Sequence, residues 1–168
     1  MRILSLLFAS AIIALANPAP FGFELEKATY SELTAKYPVK QQGFNELSQG
    51  KAITVAKSHF ELDGLQEDVV FTFDSNDKLI AVVMTLNQNK FDDILSSLSK
   101  YKLVRKDIPF VGNKYAKFKD GNCVIELNAP HLSFSMTLFY VTNDGYKKSE
   151  NSIQQDEQSR KSKQNSML

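Results

Sequence analysis

Two β-hairpin signatures constrain the fold of this chain more than any other feature. Residues 69–73 and 79–86 are rich in β-branched and aromatic side chains, and Asp74-Ser75-Asn76-Asp77 between them supplies the short polar residues that favour a turn. Residues 116–119 and 123–127 flank Asp120-Gly121, a dipeptide suited to the positive φ of a two-residue hairpin turn. Each pair predicts an antiparallel ladder. Residues 132–141 add a strand whose alternation puts Leu132, Phe134, Met136, Leu138 and Tyr140 inward and Ser133, Ser135 and Thr137 outward. A shorter alternating run, 52–56, predicts a strand ahead of the first hairpin.

A helix precedes each group of strands. Thr29-Tyr30-Ser31-Glu32 is a capping box, in which the Thr29 hydroxyl and Glu32 carboxylate satisfy the first free amides. Pro38 disfavours helical geometry at Tyr37 and stops that helix early. Asn89 is positioned to cap a second helix whose Phe91, Ile94, Leu95, Leu98 and Tyr101 form one stripe. The order helix, strand, strand, strand therefore occurs twice, over about residues 21–87 and 88–146. Each helix has one apolar stripe to bury, so the expected fold is α+β: an antiparallel sheet of about six strands with two helices on one face.

The ends of the chain differ from its middle. Arg2 followed by an apolar run and Ala14-Leu15-Ala16 predicts a secretory signal peptide over residues 1–16, with the mature chain starting at Asn17. That run is too short for a retained span, and the single cysteine, Cys123, lies far from the cleavage site, so neither a membrane anchor nor a lipoprotein is expected. The expected location is periplasmic or secreted. One cysteine also means no intrachain disulfide, so an apolar core over residues 17–146 must hold the domain. Residues 147–168 are rich in Ser, Gln, Lys and Glu and are expected to be a disordered polar tail.

With 20 Lys and Arg against 19 Asp and Glu, no global field attracts nucleic acid. Locally the charges separate: residues 61–77 carry only acidic charge, whereas 100–119 carry Lys100, Lys102, Arg105, Lys106, Lys114, Lys117 and Lys119 against Asp107 alone. A two-sided molecule of this kind can steer a charged partner.

Phe21-Gly22-Phe23 followed by Thr29, Glu32 and Leu33 resembles the start of the helix-plus-three-strand unit of β-lactamase-inhibitor-like proteins and of the small lipoprotein of the outer-membrane β-barrel assembly machine. The tandem order is similar to the inhibitor family. Where those units place Gly before the capping residue, this chain has Glu26-Lys27-Ala28. The resemblance implies an envelope or secreted binding module and carries over no functional residue.

Catalytic signatures are sparse. Cys123 shares a strand face with Ile125 and Leu127, the profile of a small buried hydrophobe, and His131 is too distant along the hairpin to partner it. His59, Glu61 and Asp63 would share a face if extended, yet two histidines without ligand spacing do not make a metal site. No phosphate loop, G-x-S-x-G or H-E-x-x-H motif occurs. The reading is an exported, non-catalytic protein-binding module, an inhibitor or an assembly accessory, with no cofactor and no metal. Its partner would be another protein or an anionic envelope component. Arg105, Lys106, Lys114 and Lys117 form the charged part of the candidate binding set, and Tyr115 and Phe139, which lie off the core face, its aromatic part. Two alternatives stand beside it: a small enzyme built around Cys123 or His59, and a carrier of an apolar ligand between helices and sheet.

Overall fold

A computed structural model describes residues 16–166. The signal-peptide expectation falls chiefly on residues 1–15, which lie outside the described residues.

The chain forms one antiparallel sheet: β1 (Val39–Asn45), β2 (Gly50–Val55), β3 (Val69–Phe73), β4 (Leu79–Asn87), β5 (Lys102–Asp107), β6 (Lys114–Asp120), β7 (Cys123–Ala129) and β8 (Ser135–Thr142). Their spatial order is β1-β2-β3-β4-β8-β7-β6-β5. Two four-strand meanders thus run inward from opposite edges and meet through their last strands, where β4 and β8 pair from Ala81↔Val141 to Asn87↔Ser135. The repeat is a helix followed by four strands, and the expected count of about six is corrected to eight. The additional strands, β1 and β5, are the two sheet edges. An edge strand needs no buried face, and β5 is exposed throughout, so neither carries an alternating apolar pattern.

Helix α1 (Tyr30–Lys36) starts on the expected capping box: Glu32 N donates to Thr29 Oγ1 at 3.3 Å and Thr29 N donates to Glu32 Oε2 at 2.7 Å. It ends where Tyr37 turns extended ahead of Pro38. Helix α2 (Phe91–Ser97) is flanked by single 3-10 turns at Gln88–Lys90 and Leu98–Lys100. The side chain that receives the first free amide there is Asn87, not Asn89: Asn89 N donates to Asn87 Oδ1 at 3.1 Å.

The main core lies between these helices and one face of the sheet. Leu33, Phe71, Phe73, Leu86, Phe91, Ile125 and Leu127 are fully or almost fully buried there, with Cys123 among them. Phe21-Gly22-Phe23 leads the chain into this layer. Gly22 takes φ 85°, Phe21 stacks 4.2 Å from the Phe60 ring, and Phe23 meets Phe71 edge-on at 6.4 Å.

Two expectations for the C-terminal part differ from the structure. β8 begins at Ser135, three residues late, because Leu132 has φ 60° and the loop turns there, which leaves Leu132 and Phe134 exposed instead of inward. Residues expected to be an unstructured tail from 147 onward belong to α3 (Asn143–Ser166). Its sequence has too few apolar residues to announce a helix, but its first turns gain contacts on the sheet that sequence composition does not show.

Among the described residues no helix is long and apolar enough to cross a membrane.

Candidate interaction surface

The face of the sheet opposite the helices α1 and α2 carries a second, smaller set of buried residues. Ala81, Val124 and Val141 pack together there, with Phe139 and Tyr146 against them. Pairing registers align one row of side chains across all eight strands of this face: Arg105, Lys117, Glu126, Phe139, Val83, Val70, Thr54 and Gln41. The row is basic at the β5 edge, acidic at β7, apolar over the central three strands and polar toward β1. Opposed residues in a ladder point to the same side, so this gradient is a property of register.

Helix α3 crosses this face. Asn143 N donates to Asn122 O at 2.8 Å, which fixes the helix start to the turn between β6 and β7. At Gly145 the backbone comes so close that an added Cβ would lie 3.0 Å from Val141 Cγ2. The next residue, Tyr146, donates to Glu126 Oε1 at 2.8 Å, and the Tyr115 hydroxyl donates to the same oxygen from β6. Lys117 Nζ lies 3.6 Å from that oxygen and 3.8 Å from the centre of the Tyr146 ring. Arg105 covers the Tyr115 ring at 5.4 Å. Burial raises both phenols above their ordinary pKa and the Glu126 carboxylate adds to the effect, so each stays a neutral donor through the physiological range.

Two grooves flank the helix. The larger, about 600 Å³, runs between Glu126, Asn128, Thr137 and Phe139 of the sheet and Tyr146, Glu150 and Ile153 of α3. The smaller, about 290 Å³, lies on the β1–β4 side over Ala52, Val70, Thr72 and Ile80. Val83, Phe139 and Ser149 belong to both.

The six residues expected to bind a partner divide between the two faces. Arg105, Tyr115, Lys117 and Phe139 lie on the α3 face. Lys106 pairs with Ala116 and Lys114 with Ala129, both core-facing, so these lysines emerge on the side of α1 and α2, where Lys114 Nζ stands 5.1 Å from the Phe91 ring. Sequence reasoning passed over Glu126 and Tyr146. The first was legible, since alternation with Cys123, Ile125 and Leu127 turns Glu126 outward; the second sits at the domain boundary, where nothing local ties it to β7.

Cys123 is fully buried, and burial together with the nearby carboxylates Glu26 and Asp120 pushes its thiol up to about 12. That is the environment of an unreactive core thiol. His59 closes a 3-10 turn, Lys57–His59, rather than standing on a strand, and its ring lies 6.0 Å from that of Tyr37. Among the described residues no group of three or more His, Cys, Asp or Glu side chains is placed to hold a metal ion.

No family model, curated protein or solved structure matches this chain.

Proposed function

We propose that this chain is an exported, non-catalytic protein-binding module whose partner rests on the α3 face of the sheet. The row from Arg105 to Val70 carries the reading: it sets a held cationic edge and a shared carboxylate beside an apolar centre, on a rigid sheet with open grooves. Interfaces that bind tightly combine an apolar anchor with neighbouring charges that set register. Phe139 is the anchor and Lys117 with Glu126 the register pair. The partner class, an inhibited enzyme or an assembly component, is what the resemblance of the opening segment suggests. Against an apolar carrier stands the size of the cleft between α2 and the sheet, about 180 Å³, below the usual volume of ligand pockets.

Export is part of the proposal, and the hydrogen bonds that Asn17 makes support it. Asn17 N donates to Glu24 Oε1 at 3.0 Å, Asn17 Nδ2 donates to Leu25 O at 3.1 Å, and Asn122 N donates to Asn17 Oδ1 at 2.9 Å. Cleavage after Ala16 would turn the first of these bonds into an ion pair between a new α-ammonium and Glu24.

A photo-crosslinking residue in place of Thr137, in the larger groove, tests the binding surface in cells that export the chain. One discrete adduct is expected there, none from the same probe at Lys106, and Phe139→Ser should abolish it. Equal adducts from both positions, or an adduct indifferent to Phe139, would overturn the reading.

A further inference from the structure

At one end of the sheet the β5–β6 and β7–β8 loops lie side by side and expose four large apolar side chains. Phe110 is 104% exposed, Val111 67%, Leu132 89% and Phe134 88%. Neighbouring strands hold the loops together, since Lys114 pairs with Ala129, and His131 N donates to Asn113 Oδ1 at 2.7 Å across the gap. A third tie, from Gln88 N to Phe134 O at 3.0 Å, fixes the second loop to the segment before α2.

Leu132 holds φ 60°, a conformation unfavourable for a leucine, while its side chain remains in water. Burial in the isolated chain does not compensate that strain.

We propose that these two loop tips insert into the interfacial region of an anionic lipid bilayer. Three observations favour a bilayer over a protein. Strongly exposed side chains carried on two loop tips suit a fluid phase that closes around each one; a protein surface needs a packed, contiguous patch. Charge complements the site: Arg105, Lys106 and Lys114 occupy the strands that carry the Phe110 loop, with Asp107 the one acidic residue on that hairpin near the tip. Basic side chains beside inserted apolar ones are the combination that anionic headgroups attract. Internal partners also take up the polar groups of the second loop. Ser133 N donates to Pro130 O at 3.3 Å, Ser133 Oγ to Ser135 O at 2.8 Å, and Ser135 N to Ser133 Oγ at 3.0 Å. Insertion of the second loop therefore strands fewer donors in an apolar medium.

The chain contains no tryptophan, so Phe110→Trp supplies a single indole reporter in the full-length exported chain. Its emission should shift to the blue, and lipid-borne quenchers should reach it, on vesicles of phosphatidylglycerol with phosphatidylethanolamine; on phosphatidylcholine alone the response should be weak. Adding Leu132→Ser and Phe134→Ser, both at exposed positions, should lower vesicle partitioning by about tenfold or more. Lys106→Gln with Lys114→Gln should weaken binding to the anionic vesicles alone and reduce its sensitivity to salt. An unshifted emission, or binding indifferent to the Leu132 and Phe134 changes, would overturn the proposal. So would sedimentation showing that the same loop changes convert a dimer to a monomer, since the tips would then cover each other. Crosslinking through Thr137 should survive the loop substitutions, which separates a failure here from a failure of the α3-face reading.

Discussion

Glu126 receives two phenol hydroxyls and lies against one ammonium, and it joins three separate parts of the chain: β6 through Tyr115 and Lys117, β7 by its own backbone, and α3 through Tyr146. Removing the carboxylate leaves partly buried donors unpaired, so Glu126→Ala should cost about 1–3 kcal/mol in urea denaturation. Tyr146→Phe should cost less, and a double-mutant cycle between the two should show positive coupling, because both changes break one bond. Alkaline pH reaches the same region. Cys123, Tyr115 and Tyr146 all have folded-state pKa values raised by burial. Each is an acid that folding keeps protonated, so stability is intact below the unfolded-state pKa and falls once the unfolded chain begins to lose these protons. For the thiol that decline runs from about 9 to about 12. Thermal melts across this range should fall in temperature, and Cys123→Ala should flatten the thiol's share. The native thiol should resist alkylation and react on unfolding; rapid native labelling would place Cys123 outside the core and reopen an enzymatic role for it.

Helix α3 is held by its first turns. Tyr146, Ser149, Glu150, Ile153 and Gln154, at the spacing of one helical face, line the larger groove, whereas residues 155–164 are exposed. A polar helix without tertiary contacts gains little from propensity alone and frays. Hydrogen exchange should therefore show protection from about Tyr146 to Ile153 and little beyond. Truncation after Gln154 should change stability by less than about 0.5 kcal/mol. Deletion from Asn143 should cost far more, because it uncovers Val124 and Val141. The edge strands follow a related logic. β5 sets Lys102 opposite Lys119 and Arg105 opposite Lys117, and a register shift between Leu103 and Arg105 interrupts its ladder. Charge and a bulge are devices that discourage an open edge from pairing with another sheet.

The two meanders are similar in plan but are not independent. β4 and β8 are neighbours at the centre, and β4 buries Val82 and Met84 on one face and Ala81 on the other. A chain ending at Asn87 would leave β4 as an apolar edge, the feature that drives strand-to-strand aggregation. The isolated first half should be insoluble or unfolded. The intact domain should unfold in one transition, with calorimetric and van't Hoff enthalpies in agreement. Two separated transitions would mean that each half carries a sufficient core.

Local chemistry was enough to locate much of this architecture. The capping box at Thr29, the stop before Pro38 and the inward set Cys123, Ile125 and Leu127 were all legible, because a cap and a period of two depend on neighbouring residues alone. The second hairpin was legible too, but its turn falls one residue later than Asp120-Gly121, since Asp120 pairs with Cys123 and leaves Gly121 and Asn122 to make the turn. The same local rules misplaced the start of β8, where the left-handed turn at Leu132 ends the alternation. They could not reveal β1 or β5, whose hydrogen bonds come from a distant strand and whose side chains need no burial. Nor could they assign the basic residues to faces. Arg105 and Lys106 are adjacent in sequence, yet the bulge after Leu103 and the pairing with β6 decide that the first joins Lys117 on the α3 face and the second emerges opposite. The convergence of Tyr115, Lys117, Glu126 and Tyr146 on one carboxylate is likewise tertiary: it exists only because β6 and β7 pair in this register and α3 turns back across them.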